Sequence, residues 1–151
     1  MKKLKTQKPI SEKKLKPRER EHYVNGKEFE NEIREYYKTN IVTDKLADSI
    51  MKIAHGLSYA PNFINYSYKS DMVGDAILKM YTALKNKKFR VDTGFNPFSY
   101  MTTVSFHAFI NRIKKEKKHH DTINEYKERI YTDAMKEENV YIDPTHEEQD
   151  F

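Results

Sequence analysis

The chain has 151 residues, of which 37% are hydrophobic and 34% are charged, and its mean hydropathy is -0.94. These values predict one domain with a modest core, and much of the chain should be solvated or bound to a partner. The absence of cysteine excludes disulfides and thiolate metal sites, so a reducing cytosol is the expected compartment. A membrane span and a secretory signal are not expected, because the sequence contains no apolar run of the required length.

The formal net charge of +5 is spread unevenly along the chain. Residues 1–20 carry nine Lys or Arg and two Glu, which gives +7, whereas residues 119–151 carry three Lys or Arg and ten Asp or Glu, which gives -7. We expect 1–20 to be a disordered basic arm that either aids solubility or is attracted to nucleic acid. A helical domain is predicted over 21–118, and an extra helix with a flexible acidic tail over 119–151.

The first two predicted helices follow Asn25 and Thr43, which are residue types that cap helix amino termini. Apolar residues then recur every three or four positions, which is the period of a helix with one buried face. The inward-facing positions are expected to be Phe29, Ile33 and Tyr36 or Tyr37 in the first helix, and Leu46, Ile50, Ile53 and Leu57 in the second.

The third helix is predicted to begin after Ser70, and the fourth at Pro97 with Asn96 as its cap. Their inward-facing positions are expected to be Val73, Ile77, Met80 and Leu84, and then Phe98, Met101, Ser105 and Ala108 or Phe109. A weaker fifth helix is expected around 121–137. Because no segment alternates with period two and only four glycines are present, the predicted fold is all-α, a compact bundle of about four to five helices.

Residue patterns that support catalysis are not found in the sequence. The chain has no glycine-rich phosphate loop, and its six histidines form no helical pair at i and i+4 that would ligate zinc. Asp71 and Asp75 share a helix face, but two carboxylates near a helix amino terminus usually only favour the helix dipole. We therefore predict that the protein is not an enzyme, and that it has no cofactor and no metal site.

Residues 95–118 contain more aromatic and apolar side chains than one buried stripe needs, and they end in a cationic run. Flat rings stack on unpaired bases with about 1–3 kcal/mol each, and cations follow the phosphates. The pattern alone leaves two interpretations open, which are a single-stranded nucleic-acid platform and an ordinary core helix.

The run DMVGDAILKMYTALKNKKFRVDTGFNPFSYMTTVSFHAFINRIKKEKK, residues 71–118, resembles conserved region 2 of bacterial sigma factors. It is similar in particular to the small late-transcription sigma factors of T-even-like bacteriophages, and the likeness extends upstream through YVNGKEF at 23–29 and IAHGLS at 53–58. The resemblance implies a fold like sigma factor domain 2. It also implies a sigma-type initiation factor that binds host RNA polymerase core, and that recognises and melts the -10-like element of phage late promoters in the host cytoplasm.

The resemblance implies that the third helix docks on the clamp helices of the polymerase beta-prime subunit. The positions that match this contact are Asp71, Met72, Asp75, Ile77 and Leu78. Two residues depart from the sigma pattern, because Gly74 replaces a common Gln and Ile77 a commonly polar residue. Gly74 also lowers helix propensity by roughly 1 kcal/mol, which indicates either a close approach or drift.

The resemblance further implies that promoter DNA is bound by the segment after Gly94. The expected DNA-binding residues are Phe95, Tyr100, Thr102, Thr103, Phe106, His107, Asn111, Arg112, Lys114 and Lys115. Tyr100 occupies the position of the ring that stacks on a flipped base, and His107 the position that often reads duplex edges. The tryptophan pair of primary sigma factors is Thr103-Val104 here, so weaker autonomous melting is expected.

Two further departures concern the carboxyl-terminal part of the chain. After residue 118 nothing resembles the helix-turn-helix domain that reads the -35 element. The sequence ends in HEEQDF, so either Phe151 keeps a short contact with the phage sliding clamp, or that function lies on another protein. Expected partners are polymerase core, duplex and single-stranded promoter DNA, a phage coactivator and the sliding clamp. The alternative is a helical DNA- or RNA-binding phage regulator that does not engage polymerase.

Overall fold

The computed structural model describes residues 21–140, with side chains through residue 137. The predictions made for 1–20 and 141–151 lie outside these residues. The described part contains four α-helices and no strand, which confirms the all-α prediction. The helices are α1 (Gly26–Thr39), α2 (Asp44–Ser58), α3 (Lys69–Lys85) and α4 (Pro97–Val140).

Each of the three predicted amino-terminal caps is present. Asn25 Oδ1 accepts hydrogen bonds from two backbone N–H groups in the first turn of α1, at 3.0 and 3.3 Å. Thr43 Oγ1 accepts from the backbone N–H of Leu46 at 3.2 Å. Asn96 Oδ1 accepts from the backbone N–H of Phe98 at 2.9 Å. These bonds satisfy donors that the helix itself leaves unpaired, and they fix where α1, α2 and α4 begin.

The core is built on α2, which packs against both α1 and α3. The predicted inner faces are largely correct, but Leu57 and Ile77 are only half-buried. In α3 the fully buried side chains include Met72, Ala76, Met80 and Leu84, so the inner face lies slightly to one side of the predicted stripe. Apolar burial of this kind is the main stabilising contribution to the fold.

In the first part of α4, Met101 and Ser105 are both fully buried, and Ser105 contacts Met80 of α3. The Ser105 hydroxyl lies 3.3 Å from the sulfur of Met80 and donates at 2.9 Å to the backbone carbonyl of Met101. The prediction that Phe98 faces inward is wrong, since its side chain is 37% exposed. Phe63, which follows α2, fills the core instead.

Phe63 is 2% exposed and makes edge-on ring contacts with two side chains of α4. Its ring centroid lies 5.0 Å from that of Phe109 and 5.5 Å from that of Phe106. Edge-to-face pairs at these distances contribute beyond their area of burial. The connection between α2 and α3 therefore anchors α4.

The chain divides into two compact units, Met1–Arg112 and Ile113–Phe151. The predicted separate fifth helix at 121–137 is wrong, because this segment is helical but belongs to α4. Residues 98–140 contain neither glycine nor proline, so no residue type there interrupts a helix. Among the described helices, none combines the length and apolar character needed to cross a membrane.

Candidate functional site

A cavity of about 480 Å³ lies in the first unit, where the loop between α3 and α4 meets the start of α4. Its lining residues are Lys88, Phe89, Arg90, Phe95, Asn96, Ser99, Tyr100 and Thr103. The loop supplies two cations and two aromatic rings, and α4 supplies polar side chains and a third ring. Three of the predicted DNA-binding residues, Phe95, Tyr100 and Thr103, therefore lie together.

The aromatic rings of the cavity differ strongly in exposure. Phe89 is 3% exposed, and its ring centroid lies 5.3 Å from that of Tyr100 in a tilted contact. Phe95 is 73% exposed and follows Gly94, whose φ of 78° lies in the left-handed region that favours glycine. The cavity thus has a fixed ring at its base and an exposed ring at its rim.

Helix α1 holds the loop in place. The Tyr37 hydroxyl donates to the backbone carbonyl of Phe89 at 2.7 Å. The Arg34 guanidinium donates to the carboxylate of Asp92, and the Asp92 backbone N–H donates to Glu30 Oε1 at 3.2 Å. Asp92 has a φ of 65°, an uncommon conformation for a residue with a side chain, and these bonds hold it there. Three side chains of α1 thus preorganise one wall of the cavity.

The pKa of Tyr37 extends this support to alkaline pH. Burial, followed by the nearby Tyr100 hydroxyl, raises the pKa of Tyr37 to about 12. The hydroxyl therefore remains protonated, and a donor to the loop, at alkaline pH values where an ordinary tyrosine loses its proton. The ammonium of Lys87 lies 5.9 Å from the centre of the Tyr37 ring, within the range of a cation–π contact.

The two threonines predicted to contact DNA use their hydroxyl protons within α4. Thr102 Oγ1 donates to the backbone carbonyl of Phe98 at 2.8 Å, and Thr103 Oγ1 donates to that of Ser99 at 3.0 Å. Each hydroxyl can therefore accept a hydrogen bond from a ligand, but it donates only if the bond to the helix breaks. Thr103 lines the cavity, whereas Thr102 does not.

Phe106, His107 and Asn111 are exposed on α4 and do not line the cavity. Phe106 is 39% exposed, and its ring contacts Phe63 as well as His107. Part of the Phe106 ring therefore supports the fold. His107 and Asn111 present polar groups on another part of the same helix.

Arg112 is engaged by Asp75 of α3. Arg112 Nε donates to Asp75 Oδ2 at 2.6 Å, and Arg112 Nη2 donates to Oδ1 at 2.8 Å. The two side chains are 19% and 35% exposed, so the pair is partly removed from water. A residue predicted to bind polymerase is thus paired with one predicted to bind DNA, and both take part in joining α3 to α4.

The other residues predicted to bind polymerase separate into buried and exposed side chains. Met72 is 0% exposed and belongs to the core, so a direct contact with a partner would require the core to open. Ile77 is half-buried. Asp71 is exposed, and Leu78 is 63% exposed, so these two side chains are available on the outer face of α3.

Lys114 and Lys115 belong to the second unit, where they are exposed side chains of the described helix.

Five residues that line the cavity were not predicted from the sequence to bind DNA. They are Lys88, Phe89, Arg90, Asn96 and Ser99. The run KNKKFR at 85–90 was the sequence pattern that could have indicated some of them, because it places four cations around one aromatic residue.

Comparison with known proteins assigns no family to this chain. No model of a known protein family matches it, and no curated protein matches it. A function for this chain is therefore inferred from the geometry of the cavity and of α3, together with the resemblance of residues 71–118 to sigma region 2.

Proposed function

We propose that the protein is a sigma-type transcription initiation factor that acts in the cytosol of a bacterial host. In this proposal it binds RNA polymerase core, and it recognises and melts the -10-like element of phage late promoters. The observation that carries the proposal is the cavity beside α4, which combines the rings of Phe95 and Tyr100 with the cations of Lys88 and Arg90. This combination suits an unpaired base and its phosphate.

The energetics of base flipping explain why such a cavity helps to open a promoter. Extruding a base costs a few kcal/mol of lost stacking and pairing. Stacking on a protein ring returns about 1–3 kcal/mol per base, and the contact with Phe89 holds the Tyr100 ring in position. Ser99 and Asn96 line the same cavity and offer polar atoms to a base edge.

The outer face of α3 distinguishes this proposal from a regulator that binds only nucleic acid. Asp71 and Leu78 are exposed on that face, although the chain as a whole is cationic. A protein that bound only nucleic acid would not need an acidic and apolar surface. A polymerase clamp helix that carries cations and apolar residues would complement it.

The first experiment tests the base-binding role of Tyr100. Tyr100→Ala should reduce permanganate reactivity of -10 thymines and run-off transcription on a duplex promoter. The reduction should be smaller on a template already mismatched through the -10 region, because the mismatch removes the cost of unpairing. Tyr100→Phe keeps the ring and is the matched control. Equal loss on both templates, or a large drop in melting temperature, would instead make Tyr100 a core residue.

The second experiment tests polymerase binding. Asp71→Lys should abolish binding to core polymerase, because an interface pair with a basic residue becomes a repulsion. Asp44→Lys is the matched control, since Asp44 is also an exposed aspartate in the first turn of a helix. If no bacterial core polymerase binds the chain while DNA binding persists, the DNA- or RNA-binding regulator becomes the better assignment.

A further inference from the structure

Gly74 occupies an exposed position within α3, where a glycine is unfavourable for the helix. Glycine loses more backbone freedom on folding than other residues, so alanine would stabilise the helix at this site. A Cβ atom added at Gly74 would meet no atom within 4 Å in the described part of the chain. Packing within these residues therefore does not account for the glycine.

The exposed residues around Gly74 form a continuous ridge along α3. A rotation of 100° per residue places Leu78 and Tyr81 near the same side of the helix as Gly74, with Ser70 and Asp71 one turn before it. Leu78 is 63% exposed and Tyr81 is 38% exposed. Ser70 and Asp71 are exposed as well. The ridge thus has an acidic end, a gap without a side chain, and an apolar end.

We propose that Gly74 is the crossing point at which a helix of the partner lies directly against the backbone of α3. Packed helices approach to about 8–10 Å between axes, and the distance depends on the side chains at the contact. A glycine at the crossing allows the shortest approach. The partner helix should carry a cation opposite Asp71 and an apolar side chain against Leu78, which complements the charge and exposure of the ridge.

This inference builds on the proposed function, in which the partner helix belongs to the clamp coiled coil of RNA polymerase core. It adds a specificity-determining position that the resemblance to sigma factors does not supply, because Gly74 departs from the sigma pattern. It also predicts effects of opposite sign on folding and on binding. Filling the gap should stabilise the free chain and weaken the complex.

The test measures the dissociation constant between the full-length chain, carrying a fluorescent label, and a core polymerase, together with the melting temperature of each variant. Gly74→Ala should raise the melting temperature by roughly 4 °C and raise the dissociation constant about tenfold or more. Gly74→Gln should raise the dissociation constant further, because its side chain is longer. Lys79→Ala is the matched control, since Lys79 is exposed on another side of α3.

The outcomes separate the inference from the function on which it builds. Weaker binding by Gly74→Ala with an unchanged Lys79→Ala control supports the close crossing. Equal binding by the wild-type chain, Gly74→Ala and Gly74→Gln overturns it, while the proposed function stands. If the wild-type chain binds no core polymerase, both the inference and the proposed function are overturned.

Discussion

The ion pair between Asp75 and Arg112 gives a prediction whose size follows from its geometry. Two short hydrogen bonds, at 2.6 and 2.8 Å, join the guanidinium to both carboxylate oxygens. Charge-assisted bidentate pairs are stronger than neutral hydrogen bonds, but partial exposure of both side chains reduces the effect. We expect Arg112→Gln and Asp75→Asn each to lower the free energy of unfolding by about 2 kcal/mol.

A double-mutant cycle isolates the interaction of the two side chains. The coupling energy between Asp75 and Arg112 should be about 1–1.5 kcal/mol, measured by urea unfolding followed with far-ultraviolet circular dichroism. The pair of Asp48 and Lys52 is the matched control. Its atoms lie 2.9 Å apart within one helix and its side chains are 60% and 37% exposed, so its coupling should be about 0.3–0.5 kcal/mol.

The same variants decide whether Arg112 is a DNA contact. A cation that neutralises a phosphate contributes about 0.9 to the slope of log affinity against log salt. If Arg112 is held by Asp75, Arg112→Gln should destabilise the chain and leave this slope nearly unchanged. A coupling energy no larger than that of the control, together with a smaller salt slope, would refute the structural role and restore the sequence-based prediction.

Two further predictions concern the cavity. Tyr37→Phe removes the hydrogen bond to Phe89, so it should lower the melting temperature and slow the opening of duplex promoters. The folded-state pKa of Tyr37 lies near 12, above the usual value of 10. The wild-type chain should therefore lose stability between about pH 10 and 12, because the unfolded chain gives up this proton first. Alkaline unfolding curves should show a smaller loss for Tyr37→Phe over the same range. Changing Lys88 and Arg90 together to Gln should reduce the DNA salt slope by about 1.8 without a change in melting temperature, whereas exposed Lys38→Gln should leave the slope unaltered. An unchanged slope would place both cations outside the phosphate path.

Local signals explain why most of the fold was predictable. Asn25 and Thr43 bond to backbone groups within three residues, so sequence spacing alone defines the caps. The inner faces of α1 and α2 also follow from the helical period, because one layer of the core covers one side of each helix. The length of α4 could also have been predicted from the sequence, because neither glycine nor proline occurs in residues 98–140.

Contacts between distant residues explain why the candidate site was only partly predictable. Tyr37 lies 52 positions from Phe89, and Arg34 lies 58 positions from Asp92. Neither pair follows from periodicity, because both depend on where the loop falls on α1 once the helices have packed. The sequence shows that the segment after Phe95 has more aromatic side chains than one buried stripe needs. Only the tertiary structure shows which of these side chains are buried in the core and which line the cavity.

The ion pair of Arg112 with Asp75 affects which cations of the first unit are expected to bind DNA phosphate in the proposed function. Both carboxylate oxygens of Asp75 bond to the Arg112 guanidinium and balance its charge, so we expect Arg112 to contribute little to nonspecific DNA affinity. Lys88 and Arg90 line the cavity itself, and their loop is fixed to α1 through the Tyr37 hydroxyl. In the proposed function, cations of the loop hold the phosphate while the rings of the cavity hold the base. The side chains proposed to bind DNA then lie on a loop held by α1 and on the first turns of α4, and the pair of Asp75 with Arg112 joins α4 to α3.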